Sequence, residues 1–279
     1  MEALVLPFSF REFLRHGGHE PDRPVDRLTK AARSGIEKQL RTYLGAGGFP
    51  EALRAAPRDR LDLLRGYVDA MLLRDVIERH AVSHPVALRW MVRPLLGSAG
   101  GAFSVHKFYN DLRAQGVPVA KDTLHAYLSH LEDAFVIRTV PIAAASERRR
   151  MVNPRKAYPV DPGLIPVFDR SGKANLGHAL ETVVALELER RGAELAYVRT
   201  ADDREVDFLA RYPDGSQQLM QVCADLDAPA TREREVQGLL DAAREHPRAR
   251  LQIVAMNTET VSGVPPTIAV HAAADWLLA

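Results

Sequence analysis

Three patterns of hydrophobic and polar positions follow one another along the 279 residues. Up to about residue 84 the apolar residues recur at helical spacing. "FSFREFLRHGG" predicts a short helix, with Ser9 as its N-cap and Glu12 at the capping-box position. "HEPDRPVDR" interrupts it with two prolines. "IEKQLRTYLGAGGFPEALRA" predicts a helix, a glycine-rich break at Gly45, Gly47 and Gly48, and a second helix begun at Pro50. "RDRLDLLRGYVDAMLLRDVIERH" sets Leu61, Leu64, Val68, Met71, Leu72 and Val76 on one face and its charges on the other, which predicts a long amphipathic helix.

From residue 85 to 165 three shorter helical stretches come before strands. "PVALRWMVRPLLGSA" is the first, "SVHKFYNDLRAQG" the second, capped by Ser104 and ended by Gly116, and the third starts at Lys121. "FVIRTVPIA" then reads as a strand, "ASERRRMVNPRK" as polar connection, and "AYPVD" as a second strand. Helices meeting at a tight turn, followed by a hairpin, predict a winged helix-turn-helix. From residue 172 a helix, "GHALETVVALELERRG", leads into "ELAYVRT" and a pair of strands in "REVDFLARYPDGSQQLMQVCADL". The charged helix "TREREVQGLLDAAREH", the buried strand "LQIVAM" and the closing "TIAVHAAADWLL" complete the chain. This order predicts an α/β domain with a mixed sheet over 172–279. The fold class is therefore α+β, with a helical region at 1–84, a winged helix at 85–165 and the α/β domain last.

Composition narrows the function classes only a little. The formal net charge is +1, and 46% of residues are hydrophobic against 26% charged, so any partner has to be read from local charge. The single cysteine, Cys223, allows no internal disulfide, and a reducing, cytoplasmic setting is expected. No apolar run reaches membrane-spanning length, so no membrane partner is expected. "MEALVLPFSF" has an acid at Glu2 and no basic leader, and does not read as a signal peptide.

Several blocks, "YLGAGGFPEALR", "FSVHKFYNDLRAQGVPVAKDTLHAYLSHLEDAFVI", "NPRKAYPVDPGL" and "REVDFL", together resemble prokaryotic ATP-binding proteins that pair an AAA-type ATPase domain with a C-terminal domain catalogued as DUF4143. The resemblance runs through most of the chain. It implies a winged helix followed by a restriction-endonuclease-like fold. It also implies that the nucleotide-binding half is missing, since "PFSFREFL" is similar to the segment just after the ATPase core. No phosphate loop is present: in "VFDRSGKAN", Val167 stands at the first glycine position and Ala174 at the hydroxyl position, so no ATP site is expected. A separately encoded ATPase domain, or self-association, is then a possible protein partnership.

The same resemblance maps a nuclease core of the PD-(D/E)xK type onto the last domain. In that chemistry carboxylates hold Mg²⁺ beside the scissile phosphate, and a lysine positions the nucleophile. The helix glutamate falls on Glu181, the strand aspartate on Asp207, and the acid-x-lysine pair on Gln221 and Cys223. Glu181 and Asp207 could still bind a metal, with Mg²⁺ the candidate. Gln221 has lost the charge and Cys223 the lysine. Lys173 is the last lysine in the chain, so no downstream replacement exists. The expected core is degenerate; an active Mg²⁺-dependent endonuclease is the rival reading. Asp207 could alternatively pair with Arg199 or Arg204, and Cys223 could be a small buried hydrophobe.

For nucleic acid, the helix from Lys121 would be the recognition helix, offering Lys121, Thr123 and His125, with Lys107 on the helix before it. Residues 138–156 form the expected wing. Arg138, Arg148, Arg149, Arg150, Arg155 and Lys156 stand there against Glu147 alone. Such clustering suits phosphate contacts, but a protein-docking module or a solvated loop has the same composition. The resulting expectation is a non-catalytic module that binds DNA or docks a protein. The glycine-rich "GAGGFPEA" has no basic or hydroxyl cluster beside it and reads as a tight helix-to-helix joint.

Overall fold

The computed structural model describes residues 5–144, 146–152, 154–169, 175–258 and 263–279. Lys173 and Ala174 of "VFDRSGKAN" lie outside them. The local signals at the start hold. Helix α1 (Phe10–His16) carries the full capping box: Ser9 N–H donates to Glu12 Oε2 at 2.8 Å, and Glu12 N–H donates to Ser9 Oγ at 3.3 Å. Helix α2 (Lys30–Ala46) runs into the glycine joint, and Pro50 starts the short α3 (Pro50–Leu53). Helix α4 (Pro57–Met71) continues as a π-helical stretch, Leu72–Glu78. The buried residues of this run are Leu64, Val68, Leu72 and Val76, a strict spacing of four. A wider turn keeps that spacing facing the core where a regular α-helix would rotate it away.

Helix α5 (Pro85–Gly97), strand β1 (Ala102–Phe103), helix α6 (Val105–Ala114) and helix α7 (Lys121–Asp133) follow. Ser104 caps α6, and Gly116 turns the chain after it at φ +74°. Strand β2 (Ile137–Val140), helix α8 (Glu147–Val152) and strand β3 (Arg155–Pro159) come next. The three strands form an antiparallel sheet in the order β1-β3-β2. The polar connection expected at 145–156 thus contains a helix, and β3 begins at Arg155, two residues before the strand read from "AYPVD". Pairing explains the earlier start: Phe103 and Thr139 supply partners to Arg155 and Ala157 on either side of β3.

Helix α9 (Ile165–Phe168) leads to α10 (Leu176–Arg190), then β4 (Glu194–Arg199), β5 (Glu205–Arg211) and β6 (Gln217–Cys223). Helix α11 (Pro229–Glu245), strands β7 (Arg250–Ala255) and β8 (Ile268–Ala272), and helix α12 (Ala273–Leu278) close the chain. The five strands lie in sequence order, antiparallel from β4 to β6 and parallel from β6 to β8. This is the expected mixed sheet, and the whole is α+β. Among the described residues no helix is long and apolar enough to cross a membrane.

Three apolar clusters hold the elements together, and the first 84 residues feed two of them. Phe10, Leu14, Leu40 and Tyr43 pack with α10, α12 and one face of the five-stranded sheet. Leu64, Val68 and Val76 pack instead with α5, α6, α7 and the small sheet. The third cluster fills the other face of the large sheet beneath α11. The two sheets are also joined by backbone: Ala143 N–H donates to the Tyr197 carbonyl at 2.7 Å, and Tyr197 N–H donates to the Pro141 carbonyl at 2.9 Å.

Between α2 and the small sheet the glycine stretch acts as the joint its composition predicts. Fully buried Asp161 accepts from Gly48 N–H at 2.6 Å and from Gly163 N–H at 2.7 Å. Gly47 has φ +81° and ψ −169°, a conformation nearly restricted to glycine, and a Cβ there would overlap the Asp161 carboxylate. Gly47→Ala is therefore expected to destabilise the fold by roughly 2–5 kcal/mol. Gly45→Ala, inside α2 with open space around it, is expected to be neutral or up to about 1 kcal/mol stabilising. Paired thermal melts of the two variants check this; equal melting temperatures would refute the joint.

Candidate functional site

The candidate site begins where strands β5 and β6 part. Their ladder runs from Arg211↔Gln217 to Phe208↔Met220, and beyond that point side chains replace it. Val222 N–H donates to Asp207 Oδ2 at 3.0 Å, and Asp207 N–H donates to Gln221 Oε1 at 3.2 Å. The fork opens a cleft of about 390 Å³ lined by groups from helices on both faces of the sheet, Glu181 of α10 and Glu235 of α11 among them.

Glu181 and Asp207 do come together, and the group between them is Lys156. Its ammonium donates to Glu181 Oε1 at 3.0 Å and Asp207 Oδ1 at 2.9 Å, and pairs with Glu205 Oε1 at 2.8 Å. A lysine ammonium has three donors, and all three are used. Lys156 is 2% exposed, so it does not lie on a basic surface as the sequence suggested. The reason is strand periodicity: in β3, Lys156 shares a face with Tyr158, two residues on and also buried. Tyr158 donates its hydroxyl to the same Glu181 oxygen at 2.7 Å. Gly100, at φ +73°, lies so close to the Glu181 carboxylate that a Cβ would stand 2.7 Å from Oε2.

These contacts set the titration of the cluster. Burial raises Glu181 to about 7, with Asp207 adding to the rise and Lys156 and Tyr158 opposing it. Burial alone would lower Lys156, but Asp207, Glu181 and Glu205 outweigh it and hold the lysine well above its ordinary value. Glu235 is also raised by burial, against the pull of its neighbour Arg234. Gln221 donates its amide to Glu235 while its oxygen accepts from Asp207, so it bridges the fork. Cys223 is not in the cleft. It packs into the third cluster, its Sγ 2.9 Å from the Asp225 carbonyl, and burial lifts its thiol to about 11. It is a small buried residue and not a reactive one.

The arginines considered for Asp207 are engaged elsewhere, Arg199 with Asp203 and Arg204 with Asp241. Sequence reasoning also missed Glu205 and Glu235. Both carry a signal: Glu205 precedes Asp207 by two residues on one strand face, and Glu235 falls on the stripe of Leu239 and Ala242 that α11 buries. The donor set does not suit Mg²⁺. The facing oxygens of Glu181 and Asp207 are held by an ammonium, and among the described residues no group of three His, Cys, Asp or Glu side chains is arranged to hold a metal ion.

The nucleic-acid candidates divide in two. Lys107, Lys121 and His125 are exposed on α6 and α7, with Thr123 half-buried, and Arg148 and Arg149 are exposed on α8. Burial lowers the His125 pKa, with Lys121 and Arg155 adding to the fall and Asp122 opposing it. Arg155 pairs with Glu132 at 3.7 Å, Arg138 pairs with Glu189 at 2.9 Å, and Arg150 donates to the Ala144 carbonyl at 3.0 Å. Glu132 also accepts from the Thr139 hydroxyl at 2.6 Å, tying α7 to β2.

With the geometry in view, the comparisons correct one expectation. Residues 37–173 match the model of a domain of unknown function, DUF8612, and not DUF4143. The chain is 28% identical over 266 residues to uncharacterized protein MJ1544 of Methanocaldococcus jannaschii, covering 93% of this chain and 58% of that protein. It is also 28% identical over 214 residues to an uncharacterized protein of Haemophilus influenzae, covering 77% of this chain and 51% of that one. The chain thus spans little more than half the length of these relatives. No solved structure matches. Nothing among these similarities is an AAA-type ATP-binding family, and the expectation of a separate ATPase partner loses its basis.

Lys156→Met would leave Glu181 and Asp207 facing each other uncompensated, at an expected cost of roughly 3–5 kcal/mol. The loss is expected to be largest above pH 7 and smaller near pH 5, where Glu181 takes up a proton. In the parent, Glu181 titrates near 7 against an ordinary 4.5, so its contribution to stability is full at low pH and declines as pH rises through that window. Glu181→Gln is expected to flatten the stability profile between about pH 4.5 and 7 by up to one bound proton. Denaturant titrations across pH check both; an unchanged slope in Glu181→Gln would refute the assignment.

Proposed function

We propose that this chain is a non-catalytic binding module that meets duplex DNA through the face of α6 and α7, and that its carboxylate cleft is a nuclease-type core withdrawn from chemistry. The observation that carries the second part is Lys156, whose three donors are taken up by Glu181, Glu205 and Asp207. An ammonium so bound has none left for a phosphate, and it occupies the place a dication would need. The order α10-β4-β5-β6-α11-β7 supports the restriction-endonuclease-like reading of the last domain.

For the first part, the order helix, strand, helix, helix, strand, short helix, strand around the sheet β1-β3-β2 supports a winged helix whose two later strands are joined through α8. In that arrangement α7 is the recognition helix, and Lys121, Thr123 and His125 lie in its first two turns, where base edges are reached. Lys107, Arg148 and Arg149 are the flanking candidates for phosphate. Docking of a protein on the same face is the second reading. It is favoured by the ion pairs of Arg138 and Arg155, which reduce the positive field.

A fluorescently labelled duplex titrated at several salt concentrations distinguishes the two. Binding is expected at low salt, and Lys121→Ala with Arg148→Ala is expected to reduce the slope of log K against log salt by about 2. No binding at low salt, or a slope unmoved by the pair, would remove the DNA reading in favour of protein docking. With Mg²⁺ or Mn²⁺ present the duplex is expected to stay intact; cleavage abolished by Asp207→Ala would overturn the non-catalytic assignment.

A further inference from the structure

Residues 79–84 form a short strap between the π-helical stretch and α5, and two points of it are pinned to α7. At one, the His80 ring lies flat on the His130 ring of α7, with centroids 3.7 Å apart and planes 10° from parallel. At the other, His84 N–H donates to the Tyr127 hydroxyl at 3.0 Å, and Ser83 Oγ lies 3.5 Å from the same oxygen. Tyr127 and His130 are three residues apart on the helix, so one face of α7 supplies both pins. Between the pins Ala81 turns the chain at φ +47°, a left-handed conformation that a residue with a Cβ rarely adopts. Such a turn persists where its surroundings hold it. Here they are the two contacts with α7, the Val82 side chain in the second apolar cluster, and the bond from Val82 N–H to the Ile77 carbonyl at 3.1 Å.

We propose that His80 and His130 form a pH-sensitive latch, which pins the His80 end of the strap to α7 while at least one ring is neutral and releases it when both are charged. The latch is a property of the fold and does not rest on the DNA reading of α7. Its basis is the closeness of the rings. Two stacked imidazoles attract while one of them is neutral, whereas two imidazolium ions at this separation set like charges face to face. The second pin carries no charge, since it is a hydroxyl and a backbone N–H. Around the stack little is placed to neutralise a second proton. Asp133, on α7 itself, is the acid that favours a charged His130, while burial and His80 both disfavour it and hold its pKa below the ordinary 6.5. Glu132, the next acid on α7, is taken by Arg155 and the Thr139 hydroxyl. Glu78 and Arg79, beside His80 in the chain, are exposed and of opposite sign. The folded chain therefore binds fewer protons at His130 than the unfolded one, so this contribution to stability is full above about pH 6.5 and is lost as pH falls.

A double-mutant cycle on the full chain tests this, with His80→Gln, His130→Gln and the double variant unfolded by denaturant at about pH 8 and about pH 5. The cycle cancels the titration of groups that touch neither ring. At the higher pH the pair is expected to favour the folded state by about threefold or more over the sum of the single effects. At the lower pH that coupling is expected to vanish or change sign. Both rings are half-buried, so the glutamine variants are expected to fold, and a second measurement reads the latch in the native chain. By NMR the His130 ring is expected to titrate at higher pH in His80→Gln than in the parent, because the neighbouring charge is gone. Amide exchange at residues 80–82, corrected for its intrinsic pH dependence, is expected to quicken on acidification in the parent and not in His130→Gln. A coupling that is absent at the higher pH, or equal at both, would overturn the latch. So would a His130 midpoint unmoved by His80→Gln, or strap exchange that responds to acid in the same way without His130.

Discussion

One buried ammonium holds the junction on which the rest of the structure depends. Lys156 lies at the meeting of the small sheet, helix α10 and the forked strand β5, and it takes one carboxylate from β5's Asp207, one from β5's Glu205 and one from α10's Glu181. Taking an ammonium out of water costs several kcal/mol, and only close, complete pairing offsets that. Here the pairing is complete, at 2.8 to 3.0 Å on every donor. An arginine would not substitute. Its donors lie in one plane and favour a single carboxylate, whereas these three acids converge on a point from different directions.

That junction fixes where the hairpin of β2 and β3 can lie. Two residues beyond Lys156, Tyr158 is fully buried in the first apolar cluster and donates to Glu181, so strand β3 is tied to the large sheet both by charge and by packing. The hydrogen bonds of residues 141 and 143 to Tyr197 extend the same attachment along the edge strand β4. The fork of β5 and β6 is what makes room. A ladder continued past Phe208↔Met220 would take up only one of the two N–H groups, that of Asp207 or that of Val222, in a cross-strand backbone bond, since antiparallel pairs alternate. Here those groups are satisfied by the Gln221 and Asp207 side chains, and the strand ends are free to separate. The cleft is therefore a consequence of side-chain bonds, and Gln221 is a bridging residue in it.

Elements whose signal is local are legible in the sequence. The capping box at Ser9, the cap at Ser104, the stop at Gly116, the glycine joint and the mixed sheet all follow from short-range spacing. The partner of Asp207 is not legible in the same way, because the nuclease pattern directs the search for a lysine to positions after Glu181 in the chain. Lys156 comes before Glu181. Reading β3 from Arg155, and not from Ala157, sets Lys156 on the same strand face as Tyr158 and points it inward by period two. Glu235 is hidden for a similar reason: an acid in a charged helix reads as solvated until its place on the buried stripe is counted. The family resemblance misleads for a physical reason. Among its quoted blocks, "GAGGFPEA" is the Asp161 joint and "REVDFL" the strand fork, so part of what they share reflects local backbone demands.

The positive charge of residues 138–156 obeys the same distinction between sequence and space. Residues 138–156 bring six cations against one acid, the strongest electrostatic feature of a chain with net charge +1. In the fold Lys156 is inside, Arg138 is on Glu189, and Arg155 is on Glu132. Half of the apparent basic patch is thus the cationic side of internal pairs whose acidic members lie elsewhere in the sequence, on α7, β5 and α10. Clustering along a chain measures neighbours in sequence, whereas a phosphate responds to neighbours in space. The cations that stay exposed are fewer, Lys107 on α6, Lys121 on α7 and Arg148 and Arg149 on α8, and Asp122 lies beside Lys121 in the sequence. Under the DNA reading proposed above, few cations are then on offer to phosphates, and the salt dependence of binding is correspondingly shallow.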